Sequence, residues 1–148
     1  MQKLVLIPPP AIAFALIGLA FGIDRLLPNL PHLGLPGLGL VLMAAGISLG
    51  AAALANFFRQ RTTFVPHGEP SSLVVRGDYQ WTRNPMYLGL CTIVLGVALY
   101  FGMLPLFLVP PAMFVLIDRV YIPYEEAKLL KLFGAPYEEF LGKVARWL

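Results

Sequence analysis

Long stretches without a charged side chain decide what this chain can fold into. No Asp, Glu, Lys or Arg occurs from Leu4 to Ile23, and Asp24-Arg25 closes that run. After a Pro/Gly-rich connection from Pro28 to Pro36, a second uncharged run reaches Phe58 and stops at Arg59. A third block, Pro85 to Ile117, is too long for one helix and is interrupted at Gly102-Met103-Leu104-Pro105, so it reads as two helices joined by a tight turn. A bilayer-spanning helix needs about 20 apolar residues. The expectation is an all-α integral membrane protein with about four spans, approximately 4–23, 37–58, 85–102 and 105–122, in a single domain over 1–148. Composition supports this: 58% hydrophobic residues, only 13% charged and a mean hydropathy of +0.75 are far from the balance of a soluble domain.

Lys3 ahead of an apolar stretch also suits a signal peptide. No convincing small-x-small cleavage site follows, however, and Pro8-Pro9-Pro10 interrupts the apolar core, so the run is read as a retained span.

The placement of charge gives an orientation. Ten of the eleven Lys/Arg residues (Lys3, four from Arg59 to Arg83, five from Arg119 onward) fall on one side of these spans, and only Arg25 on the other. By the positive-inside rule both termini and the loop between spans two and three are cytoplasmic. Gly18-x-x-x-Gly22 and Gly46-x-x-x-Gly50 are small faces where helix backbones can approach, within the chain or in a homo-oligomer. The single Cys91 excludes an intramolecular disulfide. His32 and His67 fall on opposite sides with no second cysteine or nearby histidine, so no metal site is expected, and no nucleic-acid partner either.

Nearly all polar chemistry therefore belongs to one membrane face, in segments 63–87 and 118–148, which a tight hairpin of spans three and four brings together. In the first, Asn84 is a favoured N-cap residue and Pro85 suits the first helical position. The free N–H groups of Met86 and Tyr87 and the positive end of the helix dipole can hold a carboxylate or another anion. Arg83 and Tyr87, four apart, are placed to share a face, while Tyr79, Trp81 and Tyr87 also fit an interfacial aromatic belt. In the second segment Pro123 is read as a helix start, Gly134 as its C-cap and Pro136 as the opening of another helix. Glu125 and Glu126 fall at the same end as Asn84, where a carboxylate can bind a cation or hydroxyl groups. Glu138 and Glu139 read as helix-dipole partners of the last helix.

Taken together, "SSLVVRGDYQWTRNPMYLG" and "EEAKLLKLFGAPYEEF" resemble the isoprenylcysteine carboxyl methyltransferase and phospholipid methyltransferase superfamily, over roughly Thr63 to Arg146. The resemblance implies transfer of a methyl group from S-adenosylmethionine, bound at the cytoplasmic face, to a lipophilic acceptor that enters from the bilayer. It implies a cofactor pocket at Leu73, Val74, Tyr79, Asn84, Pro85, Met86, Tyr87 and Glu125, with Arg83, Arg119 and Tyr121 nearest the reacting groups. Helix-start N–H groups suit the cofactor's carboxylate, aromatic rings its adenine or sulfonium, and Glu125 its ammonium or ribose hydroxyls. Two positions depart from the family pattern. Asn84-Pro85 stands where His-Pro is usual, and Tyr121 occupies the place of an arginine one turn before the glutamate, with Arg119 the nearest substitute. The acceptor stays open among a prenylated thiol or carboxylate, a phospholipid amine and a small hydrophobic molecule. An NADPH-dependent membrane reductase related to sterol reductases, and a non-enzymatic membrane scaffold, are the competing classes.

Overall fold

The computed structural model describes residues 5–59 and 77–148, so Leu73, Val74 and His67 lie outside the described residues. The described chain is an all-α membrane protein. Six helices, α1 (Pro9–Leu26), α2 (Pro36–Arg59), α3 (Pro85–Phe101), α4 (Val109–Leu116), α5 (Ile122–Phe133) and α6 (Ala135–Lys143), are joined by 3-10 turns at Gly77–Gln80 and Leu104–Leu108 and by a π-helical turn at Ile117–Tyr121. Three uninterrupted helical stretches are long and apolar enough to cross a bilayer: Pro9–Leu26, Pro36–Asn56 and Leu104–Phe133. The apolar α3 is shorter, at 17 residues.

Proline sets the helix starts. Pro9 opens α1 and Pro85 opens α3, each at the position where a missing N–H costs no intrahelical bond. The run of prolines at 8–10 therefore moves the first span to begin later than Leu4, and the helix carries Asp24 and Arg25 inside its last turn. His32 Nε2 lies 3.4 Å from Asp24 Oδ2 at that end.

Pro123 does not start a helix, contrary to the sequence expectation. The chain stays helical from Leu104 to Phe133, and the strain of an internal proline is taken up by the wider π turn just before it. At about 1.5 Å per residue this 30-residue stretch exceeds a hydrocarbon core of roughly 30 Å. Its apolar part ends near Ile122, and Glu125, Glu126, Lys128 and Lys131 follow beyond the length that a hydrocarbon core requires.

α2 and α3 pack antiparallel at backbone contact. A Cβ on Gly39 would lie 2.7 Å from the Gly96 carbonyl, and one on Gly46 would lie 2.6 Å from the Gly89 carbonyl. Both pairs are seven residues apart, so all four glycines fall on facing stripes. Gly46 is thus used inside the chain, whereas Gly18 and Gly22 have open space where a Cβ would sit. At the far end, Gly102 adopts φ 68° as the C-cap of α3, and its carbonyl accepts a 2.7 Å bond from Leu33 N–H, tying the α1–α2 connection to the α3–α4 turn. Two clusters fill the interior. One joins Ala13 and Ala20 to Val94, Ala98, Met113 and Ile117; the other, at the end where α3 begins, joins Ala53, Tyr79, Tyr137 and Phe140.

Candidate functional site

The start of α3, the start of α5 and the segment after α6 meet at one end of the bundle. Asn84 stands at the N-cap position, but its side chain does not cap the helix. Its amide instead donates a 2.9 Å bond to the Arg146 carbonyl, which also accepts the hydroxyl of buried Thr82 at 3.1 Å. Arg83 N–H donates to the Ala145 carbonyl at 3.0 Å. The side chain of Asn84 is thus engaged away from the first turn of α3, whose N–H groups lie at the positive end of the helix dipole.

Tyr87 and Glu125 join the two motifs directly. The Tyr87 hydroxyl donates a 2.5 Å hydrogen bond to Glu125 Oε1. Burial pushes the Glu125 carboxyl up to about 7, against the opposing pull of the Tyr87 hydroxyl and the Lys128 charge. The Tyr121 ring lies 6.4 Å from that of Tyr87, and its hydroxyl donates to the Ile7 carbonyl at 2.5 Å. Tyr121 is fully buried and braces this wall against the segment preceding α1.

A second acidic group sits beside the first. Arg83 Nη2 is 3.4 Å from Glu126 Oε1, close enough for an ion pair but without hydrogen-bond geometry. Arg83 Nη1 donates to the Leu141 carbonyl at 3.4 Å, and Arg146 Nη2 donates to Glu126 Oε2 at 2.6 Å. Arg83 Nε and Glu126 Oε1 are buried with no hydrogen-bond partner among the described residues. Tyr137, packed nearby, has its phenol pushed up to about 12 by burial and by the charge of Glu126.

Among the residues singled out in the sequence, Arg83, Asn84, Pro85, Tyr87, Tyr121 and Glu125 are brought to this end together. Tyr79 and Met86 pack in the adjoining aromatic cluster. Arg119 is not brought in: its side chain is 81% exposed and pairs with Asp118 at 3.3 Å. Sequence reasoning set Glu126 aside in favour of its neighbour and missed Thr82, Asp118, Arg146 and Trp147. The available signal was Arg146-Trp147 itself, an amphipathic pair directly following an interfacial helix.

An open apolar groove of about 410 Å³ runs between α3 and α4, lined by Cys91, Thr92, Leu95, Pro110, Phe114 and Val115. Cys91 and Leu95, which line it, follow Tyr87 at intervals of four residues along α3.

No curated protein and no solved structure gave a significant match to the chain. The sequence model of phospholipid methyltransferases matches residues 36–136, from the start of α2 into α6, which takes in the α2–α3 pair, the first motif and the second as far as Pro136. The chain therefore belongs to the phospholipid methyltransferase family, a family of membrane methyltransferases.

Proposed function

We propose that the protein transfers a methyl group from S-adenosylmethionine to a lipophilic acceptor at the membrane surface. The observation that carries this reading is the Tyr87–Glu125 hydrogen bond, which joins the first turn of α3 to a carboxylate on α5 in a chain of this family. The helix start offers donors for the cofactor's carboxylate, and Glu125 offers acceptors for its ammonium or ribose hydroxyls. When bound there, the cofactor would supply an already activated sulfonium methyl for direct transfer to an acceptor lone pair, with the thioether as leaving group.

The chain's own contribution is alignment and exclusion of water. The α3–α4 groove suits the tail of an acceptor arriving from the bilayer, with its reactive head near Tyr87. The acceptor is a phospholipid amine, an isoprenylcysteine-like group or a small hydrophobic molecule. Both termini and the site lie on the cytoplasmic side, in keeping with the charge asymmetry of the spans. Purified protein incubated with methyl-labelled S-adenosylmethionine and lipid extract should move label into the organic phase. Label confined to the aqueous phase with every acceptor class offered would refute the reading.

A further inference from the structure

The five residues after α6, 144–148, bond to several elements of the site and lie outside residues 36–136, the part matched by the family model. Here the Ala145 carbonyl takes the Arg83 N–H, while the Arg146 carbonyl takes both the Thr82 hydroxyl and the Asn84 amide. The Arg146 guanidinium reaches Glu126 Oε2 at 2.6 Å and lies 3.4 Å from Asp118 Oδ1. Trp147 Nε1 donates to the same Asp118 oxygen at 3.0 Å, and its ring sits 4.8 Å from that of Phe114. One short strap thus ties together the approach to α3, the π turn, α4 and α5.

The pattern of bonds has a direction. Arg146 occupies Oε2 of Glu126, and Oε1 is buried without a hydrogen-bond partner among the described residues, 3.4 Å from Arg83 Nη2. The Arg146 carbonyl draws the Asn84 side chain away from capping α3, leaving the first-turn N–H groups of that helix to another acceptor. The segment thus engages both an acidic and an amide group of the site.

We propose that the C-terminal strap positions the cofactor site, with Arg146 a positioning residue that orients Glu126 through its guanidinium and the Asn84 helix start through its carbonyl. This rests on the methyltransferase reading above. Arg146 touches neither the methyl donor nor the acceptor; it acts through Glu126 and Asn84.

The test is S-adenosylhomocysteine affinity by calorimetry, measured in detergent well below each variant's unfolding midpoint. Arg146→Ala should weaken binding tenfold or more. Arg146→Lys, which keeps a charged donor for Glu126 but not the fork that also reaches Asp118, should recover part of that loss. Combining Arg146→Ala with Glu126→Gln should cost no more than the larger single effect, as expected if one residue acts through the other. Trp147→Phe keeps the contact with Phe114 and loses only the Asp118 bond; it should weaken binding several-fold and serves if Arg146→Ala fails to fold. Lys143→Ala, which removes only an exposed pair with Glu139, should bind as the unaltered protein does. A lowered unfolding midpoint with unchanged affinity in Arg146→Lys and Trp147→Phe would reduce the strap to an anchor and overturn the proposal. Absence of binding by the unaltered protein would overturn the methyltransferase reading itself.

Discussion

Tyr87 on the first turn of α3 donates its hydroxyl hydrogen to Glu125 on α5 across 38 residues of sequence, at 2.5 Å. That bond ties the α3 start, the π turn and the polar end of the last long helix into one wall. Glu125→Gln keeps the shape of this contact and removes the charge. If the carboxylate meets a cation or hydroxyls of the cofactor, S-adenosylhomocysteine affinity should fall by about 1.5–3 kcal/mol, tenfold to over a hundredfold. Glu138, exposed in the first turn of α6, is the comparison: Glu138→Gln should cost only about 0.3–1 kcal/mol of stability and leave affinity unchanged. Equal minor losses of affinity in the two variants, measured by calorimetry, would remove Glu125 from the site.

The same carboxyl predicts a pH dependence. Held at about 7 by burial, Glu125 is mostly protonated at pH 6 and mostly charged at pH 8. Affinity for S-adenosylhomocysteine should therefore rise by about tenfold between those values, and the rise should vanish in Glu125→Gln. Stability runs the other way. The folded carboxyl binds its proton more tightly than the unfolded chain does, so this contribution is complete below the ordinary value of 4.5 and is lost as pH rises through about 7. Calorimetric titrations and unfolding midpoints across that range check both signs.

The glycine contacts predict opposite responses to the same substitution. A Cβ on Gly89 would lie 2.7 Å from the Gly46 carbonyl, a backbone atom with little room to yield, so Gly89→Ala should destabilise the protein by about 1–3 kcal/mol. Gly18 has nothing within 4 Å, and Gly18→Ala should stabilise α1 by about 0.5–1 kcal/mol. Unfolding in mixed detergent reads both, and a loss of stability in Gly18→Ala would reveal a partner helix on that face.

Orientation is tested in intact cells. With cytoplasmic termini and a cytoplasmic loop between α2 and α3, a cysteine placed at Glu69 in a Cys91→Ser background should resist an impermeant thiol reagent added from outside and react once the membrane is opened. Labelling from outside would reverse the topology.

Local chemistry made some of this architecture legible in the sequence. Pro85 opens α3 and Gly134 ends α5 because both are decided within a few residues by a missing N–H or by φ above zero, and the two motifs were expected to meet, as Tyr87 and Glu125 do. Pro123 misled for a related reason: the local rule forbids a proline inside a regular helix, but a π turn one step earlier removes the conflict. Asn84 looked like an N-cap by residue type, yet a carbonyl 62 residues away claims its amide. Arg119 and Arg146 could not be ranked from sequence at all. Both are arginines near membrane ends, and only the fold shows one pointing outward and the other bridging two acids. The glycine stripe at Gly39, Gly46, Gly89 and Gly96 was hidden because its period of seven pairs residues on two different helices.

The central claim is that this end of the bundle binds S-adenosylmethionine. Calorimetry of detergent-purified protein against S-adenosylhomocysteine, with NADPH and buffer as parallel injections, addresses it most directly. The account predicts saturable S-adenosylhomocysteine binding in the micromolar range, about −8 kcal/mol, and no binding of NADPH. Saturable NADPH binding with none of S-adenosylhomocysteine would contradict it.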